Sequence, residues 1–219
     1  MEKTLIYALH GFLGHASDWN QVADAASEFE FFCGEMFSTA DFVIPQFPSE
    51  RKKVFLGYSL GGRLGLRLLQ QSPESFDHFV FLSTNPGFLE SAEADRLKRV
   101  ADDAAWAEKI SERNWDSFFT EWNAQPVFKI GATEPVRSGS EFDLHKLRLS
   151  LTENSLGLQP DYRQLISRHK NRISWVVGRD DQKYRELART LDLEPVIVDS
   201  GHRILLENPV SVAEVLSKI

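Results

Sequence analysis

Apolar positions along this chain gather in short runs, and stretches of helical period separate them. The runs are TLIYAL (4–9), FEFFCG (29–34), KVFLGY (53–58), HFVFLS (78–83), ISWVVG (173–178) and PVIVDS (195–200). They are rich in Val, Ile, Phe and Tyr and mostly apolar on both faces. Parallel strands covered by helices on both sides have this pattern. Helical spacing predicts helices over 18–28, 60–71, 162–170, 183–191 and 209–218. In 60–71, Leu60, Leu64 and Leu68 form an i, i+4 stripe. Strand and helix in alternation define an α/β fold, a mostly parallel, doubly wound sheet flanked by helices.

The middle of the chain breaks the alternation. Residues 88–125 read as helices throughout, with Trp106, Trp115 and Trp122 in polar surroundings, and no strand run lies between 84 and 172. A single domain over 1–219 is expected, with a helical cap insertion over 86–160 that covers one end of the sheet. Such an insertion follows a strand end, where functional loops of these sheets lie. A set of packing helices within the main layer is the other reading.

Composition narrows the partners. The chain has 219 residues, 42% hydrophobic and 26% charged, so it is expected to form a sizeable core. A net charge of −7 argues against nucleic acid and anionic membranes, which need basic surface, but leaves room for a basic pocket that takes a small anionic substrate. Cys33 is the single cysteine, so neither an intrachain disulfide nor a Cys-based zinc site is expected. The apolar run Leu5–Leu9 is too short for a signal-peptide core, and no stretch approaches the roughly 20 apolar residues of a membrane span. A cytoplasmic monomer is expected.

The third strand run ends in Gly57-Tyr58-Ser59-Leu60-Gly61, a G-x-S-x-G between strand and helix. That setting predicts a nucleophile elbow, with Gly61, Gly62 and Gly65 letting the helix approach the strand closely. An inert serine in a glycine-rich turn is the alternative. A reactive serine needs a base, and the base needs an orienting carboxylate, in chain order Ser, Asp or Glu, His. Of His78, His145, His169 and His202, only His202 sits on a loop just past a strand end, in DSGH. For the acid, the fifth run ends in GRDD; the G-x-x-D spacing favours Asp181, leaving Asp180 as a solvated turn residue and Asp199 as the outsider. The backbone N–H groups of Leu60 and Phe12 are the candidate oxyanion-hole donors. His10 is expected to be structural, and Asp18 is the expected N-cap of the first helix.

HGFLGHASDW, GYSLGGR, the run from Asp95 to Trp106, WNAQPVF and GHRILLENP together resemble the α/β-hydrolase superfamily. More narrowly, the chain resembles the 2-succinyl-6-hydroxy-2,4-cyclohexadiene-1-carboxylate synthase family of menaquinone biosynthesis. The resemblance implies elimination of pyruvate from a cyclohexene bearing several carboxylates. It implies a Ser59–His202–Asp181 triad that abstracts a proton, with no acyl-enzyme and no metal or organic cofactor. It also implies substrate contacts from Arg63, Arg99, Trp122 and Lys183, and by a looser match Arg137. Spacing agrees for the anion part: Arg63 lies one helical turn past Ser59, and Lys183 lies two residues past Asp181. The sequence also departs from the family. GEMFSTADFVIPQFPSE stands where the family has a D-L-P-G-H-G-type loop, and the segment before the elbow is short. Asn123 and the Asn85-Pro86-Gly87 turn alter the expected pocket lining. The alternative function is a carboxylesterase or thioesterase with Ser59 as a true nucleophile, and a third is a binding protein on the same fold. Converging cations in the pocket favour the lyase.

Overall fold

The computed structural model describes residues 2–35 and 46–219. Residues 36–45, most of the departing loop noted above, lie outside the described residues. The apolar runs form six strands: β1 Leu5–Leu9, β2 Glu30–Gly34, β3 Lys53–Tyr58, β4 His78–Leu82, β5 Ile173–Gly178 and β6 Val196–Val198. All pair in parallel, in the order β2-β1-β3-β4-β5-β6. The helices are α1 Asn20–Ala25, α2 Leu60–Gln71, α3 Glu93–Lys109, α4 Trp115–Asn123, α5 Leu144–Glu153, α6 Arg163–His169, α7 Gln182–Ala188, α8 Ile204–Glu207 and α9 Pro209–Leu216.

Side chains alternate across each strand, so apolar runs feed two cores. Tyr7, Leu9, Phe55, Phe81 and Trp175 face the leucines of α2 and α6. Ile6, Ala8, Leu56, Val80 and Val176 face Trp19, Val22 of α1 and Val212 of α9. Both layers are needed to cover a sheet whose β1, β3 and β4 interiors are almost fully buried. β6 is shorter than the 195–200 run because it is the edge: Val196 and Ile197 remain 38% and 43% exposed.

The first helix differs from expectation. Residues 18–28 give a 3-10 turn, Ala16–Trp19, followed by the short α1. The turn is capped by His15, not Asp18; the Asp18 carboxylate reaches back and accepts the His15 N–H at 3.0 Å. As the N3 member of this capping box, Asp18 serves the helix start from inside its first turn.

Between β4 and β5 the chain is helical. Parts of α3, α4 and α5 close around their own apolar cluster, with Ile110, Trp115, Phe118, Phe142 and Leu147 buried together. Leu13, from the loop after β1, joins that cluster. Tyr162 and α6 belong instead to the sheet-side core. Among the described residues, no helix is long and apolar enough to cross a membrane.

The strand order places the site. From β1 the chain crosses to β2 on one side and then to β3 on the other. Loops leaving β1 and β3 therefore diverge, and a crevice opens at their C-terminal ends, the usual ligand position in such sheets.

Candidate active site

Ser59 follows β3 with φ 51° and ψ −108°, a backbone setting that serine rarely adopts. Its surroundings hold it there. The Ser59 N–H donates to the Leu82 carbonyl at 2.9 Å, and its carbonyl accepts the Arg63 N–H at 3.1 Å. Gly61 completes the turn: a Cβ there would lie 2.3 Å from the Leu9 carbonyl oxygen. Only glycine lets the start of α2 sit this close to β1. The turn thus brings Leu60 and Phe12 into one cavity with Ser59.

β5 and β6 deliver the other two groups. Asp181 caps α7, with Oδ1 accepting the Tyr184 N–H at 3.3 Å. Its Oδ2 lies 2.6 Å from His202 Nδ1, and both side chains are buried. With Nδ1 donating to the carboxylate, His202 Nε2 is left as the acceptor, the tautomer a general base requires. The imidazole is walled by Tyr184, Phe128 and Tyr58, with ring centroids 4.5, 5.6 and 5.8 Å away. Burial pushes the Tyr184 phenol up to about 12, so it stays neutral beside His202. Asp180 is exposed in its turn. His10 is buried and donates from Nδ1 to the Gly11 carbonyl at 2.8 Å, while its Nε2 stands 3.3 Å from Glu35.

Ser59 and His202 line a cavity of about 110 Å³ together with Arg63, Arg99, Lys183 and Trp122. Arg63 is held from behind: Nε donates to Gln159 Oε1 at 2.7 Å and Nη2 donates to the Asn154 carbonyl. Burial, then the nearby Arg99 charge, brings its pKa down to about 10. Arg99 reaches across from α3 while donating from Nε to the buried Asp103 at 2.8 Å. Lys183 is lowered by desolvation first and by Arg99 second. Three cationic side chains thus share one cavity, with the Asp103 carboxylate on Arg99. Trp122 lies half-buried against Phe12 and Trp106, at 4.6 and 5.2 Å between centroids.

Arg137 stands apart. It is not among the described residues lining this cavity. Its Nη2 donates to Asp18 Oδ1 at 2.7 Å and lies 3.5 Å from Glu134. A guanidinium only 7% exposed must be paired, and Asp18 supplies the charge that a substrate carboxylate was expected to supply.

Several contributors have no local signature. Gln159 and Asn154 aim Arg63 from 96 and 91 residues away. Gln159 is in turn fixed by donating to the Asn85 carbonyl at 2.9 Å. Arg203, next to His202 in the GHR stretch, is 3% exposed and fully engaged with the segment after α4. Among the described residues, no group of three or more His, Cys, Asp or Glu side chains is placed to hold a metal ion.

The fold and this site belong together: the chain is a member of the alpha/beta hydrolase family, which it matches over residues 4–215. Within that family it is similar to the 2-succinyl-6-hydroxy-2,4-cyclohexadiene-1-carboxylate synthase of Citrobacter koseri, 28% identical over 232 residues, 96% of this chain and 91% of that protein. The synthase of the same name from Enterobacter sp. is 32% identical over 169 residues, 75% of this chain and 65% of that one. Among solved structures, MenH from S. aureus matches 100% of this chain and 94% of its own, with a TM-score of 0.80 and 18% identity. A thermophilic esterase from Thermogutta terrifontis matches 98% and 88%, with a TM-score of 0.65 and 17% identity. At those identities the two structures share the fold.

Proposed function

We propose that this chain is a lyase of menaquinone biosynthesis that eliminates pyruvate from a multiply carboxylated cyclohexene. The observation that carries the reading is the meeting of Arg63, Arg99 and Lys183 in the cavity of Ser59 and His202. An esterase for neutral acyl chains has no use for three cations there, and each costs desolvation. The relatives named as synthases support the same choice.

In the proposed chemistry the triad works as an acid–base set. His202 Nε2 takes the Ser59 proton, and Ser59 Oγ takes a proton from a ring carbon. The electron pair of that C–H bond forms a ring double bond as the C–O bond to the pyruvyl group breaks. The leaving group departs as an enolate and becomes pyruvate on gaining a proton at carbon. Asp181 stabilises the imidazolium formed meanwhile. The N–H groups of Leu60 and Phe12 stabilise negative charge developing on the substrate's oxygen. The cations hold the carboxylates, with the guanidinium fork suited to bidentate contact. No bond forms between Ser59 and a carbonyl carbon.

Pyruvate release from the carboxylated cyclohexene, followed with a coupled dehydrogenase, tests the proposal. Turnover by the wild-type chain that disappears in Ser59→Ala and His202→Ala supports it. Absence of pyruvate from a folded wild-type chain at saturating substrate would overturn it.

A further inference from the structure

His202 is followed directly by a second buried ionisable residue, and the mechanism above leaves it unused. The Arg203 guanidinium donates from Nε to Glu134 Oε2 at 2.8 Å, from Nη1 to the Phe128 and Ala132 carbonyls at 3.2 and 3.1 Å, and from Nη2 to Asn123 Oδ1 at 2.6 Å. Its Cζ also sits 4.3 Å over the Phe128 ring. All these partners lie between Asn123 and Glu134, the strap that leaves α4. Phe128 is the same ring that meets the His202 imidazole edge-on. The strap comes close enough because Gly131 adopts φ 98°; a Cβ there would lie 2.2 Å from the Glu207 carboxylate. That carboxylate in turn accepts the Gly201 N–H at 2.6 Å. The histidine loop is therefore pinned on both sides of His202.

The chain of charges continues. Glu134 lies 3.5 Å from Arg137, and Arg137 is paired with Asp18. Asp18 Oδ2 accepts the His15 N–H, in the loop that leaves β1 and carries Phe12. One alternating row, Arg203–Glu134–Arg137–Asp18, runs from the base's loop to the oxyanion loop. The two buried guanidiniums are costly unless paired, and the two half-buried carboxylates pair them within one frame.

We propose that Arg203 is a positioning residue: by tying the His202 loop to the 123–134 strap, it fixes the imidazole for proton transfer with Ser59. The proposal rests on the triad reading and not on the identity of the substrate. Arginine is required because its planar fork reaches several acceptors at once, and a lysine ammonium does not.

The test is the rate at which a fluorophosphonate probe modifies Ser59, which needs His202 in place but no particular substrate. Ser59→Ala serves as the labelling control. In Arg203→Lys and in Glu134→Gln, the covalent step is expected to slow about tenfold or more, with the half-saturating probe concentration nearly unchanged. The melting temperature reports folding, and the volume-preserving Glu134→Gln keeps the test open if Arg203→Lys fails to fold. Folded variants whose covalent step stays within about threefold of wild type, or which change only in half-saturation, would overturn the inference. A wild-type chain that takes no label would instead sink the triad reading, and the inference with it.

Discussion

At Ser59, strain and reactivity share a cause. A serine at positive φ costs on the order of 1–3 kcal/mol and persists only because the Leu82 carbonyl, α2 and the close β1–α2 packing over-determine it. The same turn presents Ser59 with Arg63 one helical turn further on, in the same cavity. Arg63→Ala is expected to lower kcat/KM for an anionic substrate by about 1.5–3 kcal/mol, the worth of a hydrogen bond to a charged group. Hydrolysis of a neutral ester, if any, should barely change, and an Arg63→Ala enzyme of wild-type kcat/KM would remove the residue from the site. The pH dependence has a definite sign. Arg63, with its pKa at about 10, and Lys183, lowered from the usual lysine value, both lose charge as pH rises. Binding of a carboxylated substrate is therefore expected to weaken on the alkaline side, with KM climbing as pH approaches and passes about 10. A KM flat through that range would show that neither cation meets the substrate.

At the scale of elements, the junction of β1, β3 and α2 decides whether the site exists. Gly61→Ala would drive a methyl into the Leu9 carbonyl, a backbone atom that cannot step aside. The expected cost is about 1–3 kcal/mol of stability, as for other overpacked positions. Activity should fall further than stability does, because Leu60 must shift with the helix start. Urea melts and initial rates on the same preparation separate the two effects. This junction was legible in the sequence because apolar runs, glycine spacing and strand ends are all local signals. Ser59, Asp181 and His202 each lie within a few residues of a strand end, so chain order alone could nominate them. Other features were not legible. The first helix starts on a 3-10 turn because the Asp18 side chain bonds backward, a geometric choice that the residue type permits but does not dictate. The roles of Gln159, Asn154 and Arg203 depend on contacts 69 to 96 residues apart, and no period in the chain records those. Arg137 shows the opposite case: a motif match nominated a substrate contact, and in the structure the half-buried Asp18 carboxylate engages its charge.

Across the whole molecule, acidic conditions act first at the end of the sheet opposite the site. His78 starts β4, with its Nε2 2.9 Å from Ser174 Oγ. Burial, then Lys52 and Arg172, brings its pKa down to about 4. A histidine whose folded pKa lies below its unfolded value stabilises the fold while neutral. The unfolded chain binds that proton near pH 6.5 and the folded chain only near 4, so stability drops as pH falls through that window. Solvent screening at this half-exposed position limits the loss to about 1 kcal/mol. Glu35, held down to about 2 mainly by its hydrogen bond with His10, adds a second decline below about pH 4.5. His78→Gln should flatten the first decline in thermal melts and leave the second intact; an unaltered pH profile would remove His78 as its source.

What the assembled cavity does with an anionic ring decides between elimination and hydrolysis. The most direct measurement runs two assays on one preparation, pyruvate release from the carboxylated cyclohexene and hydrolysis of a short p-nitrophenyl ester. We expect elimination to dominate, with ester turnover slower by about a hundredfold or more in kcat/KM. Strong ester hydrolysis with no pyruvate would contradict the account and make Ser59 a nucleophile.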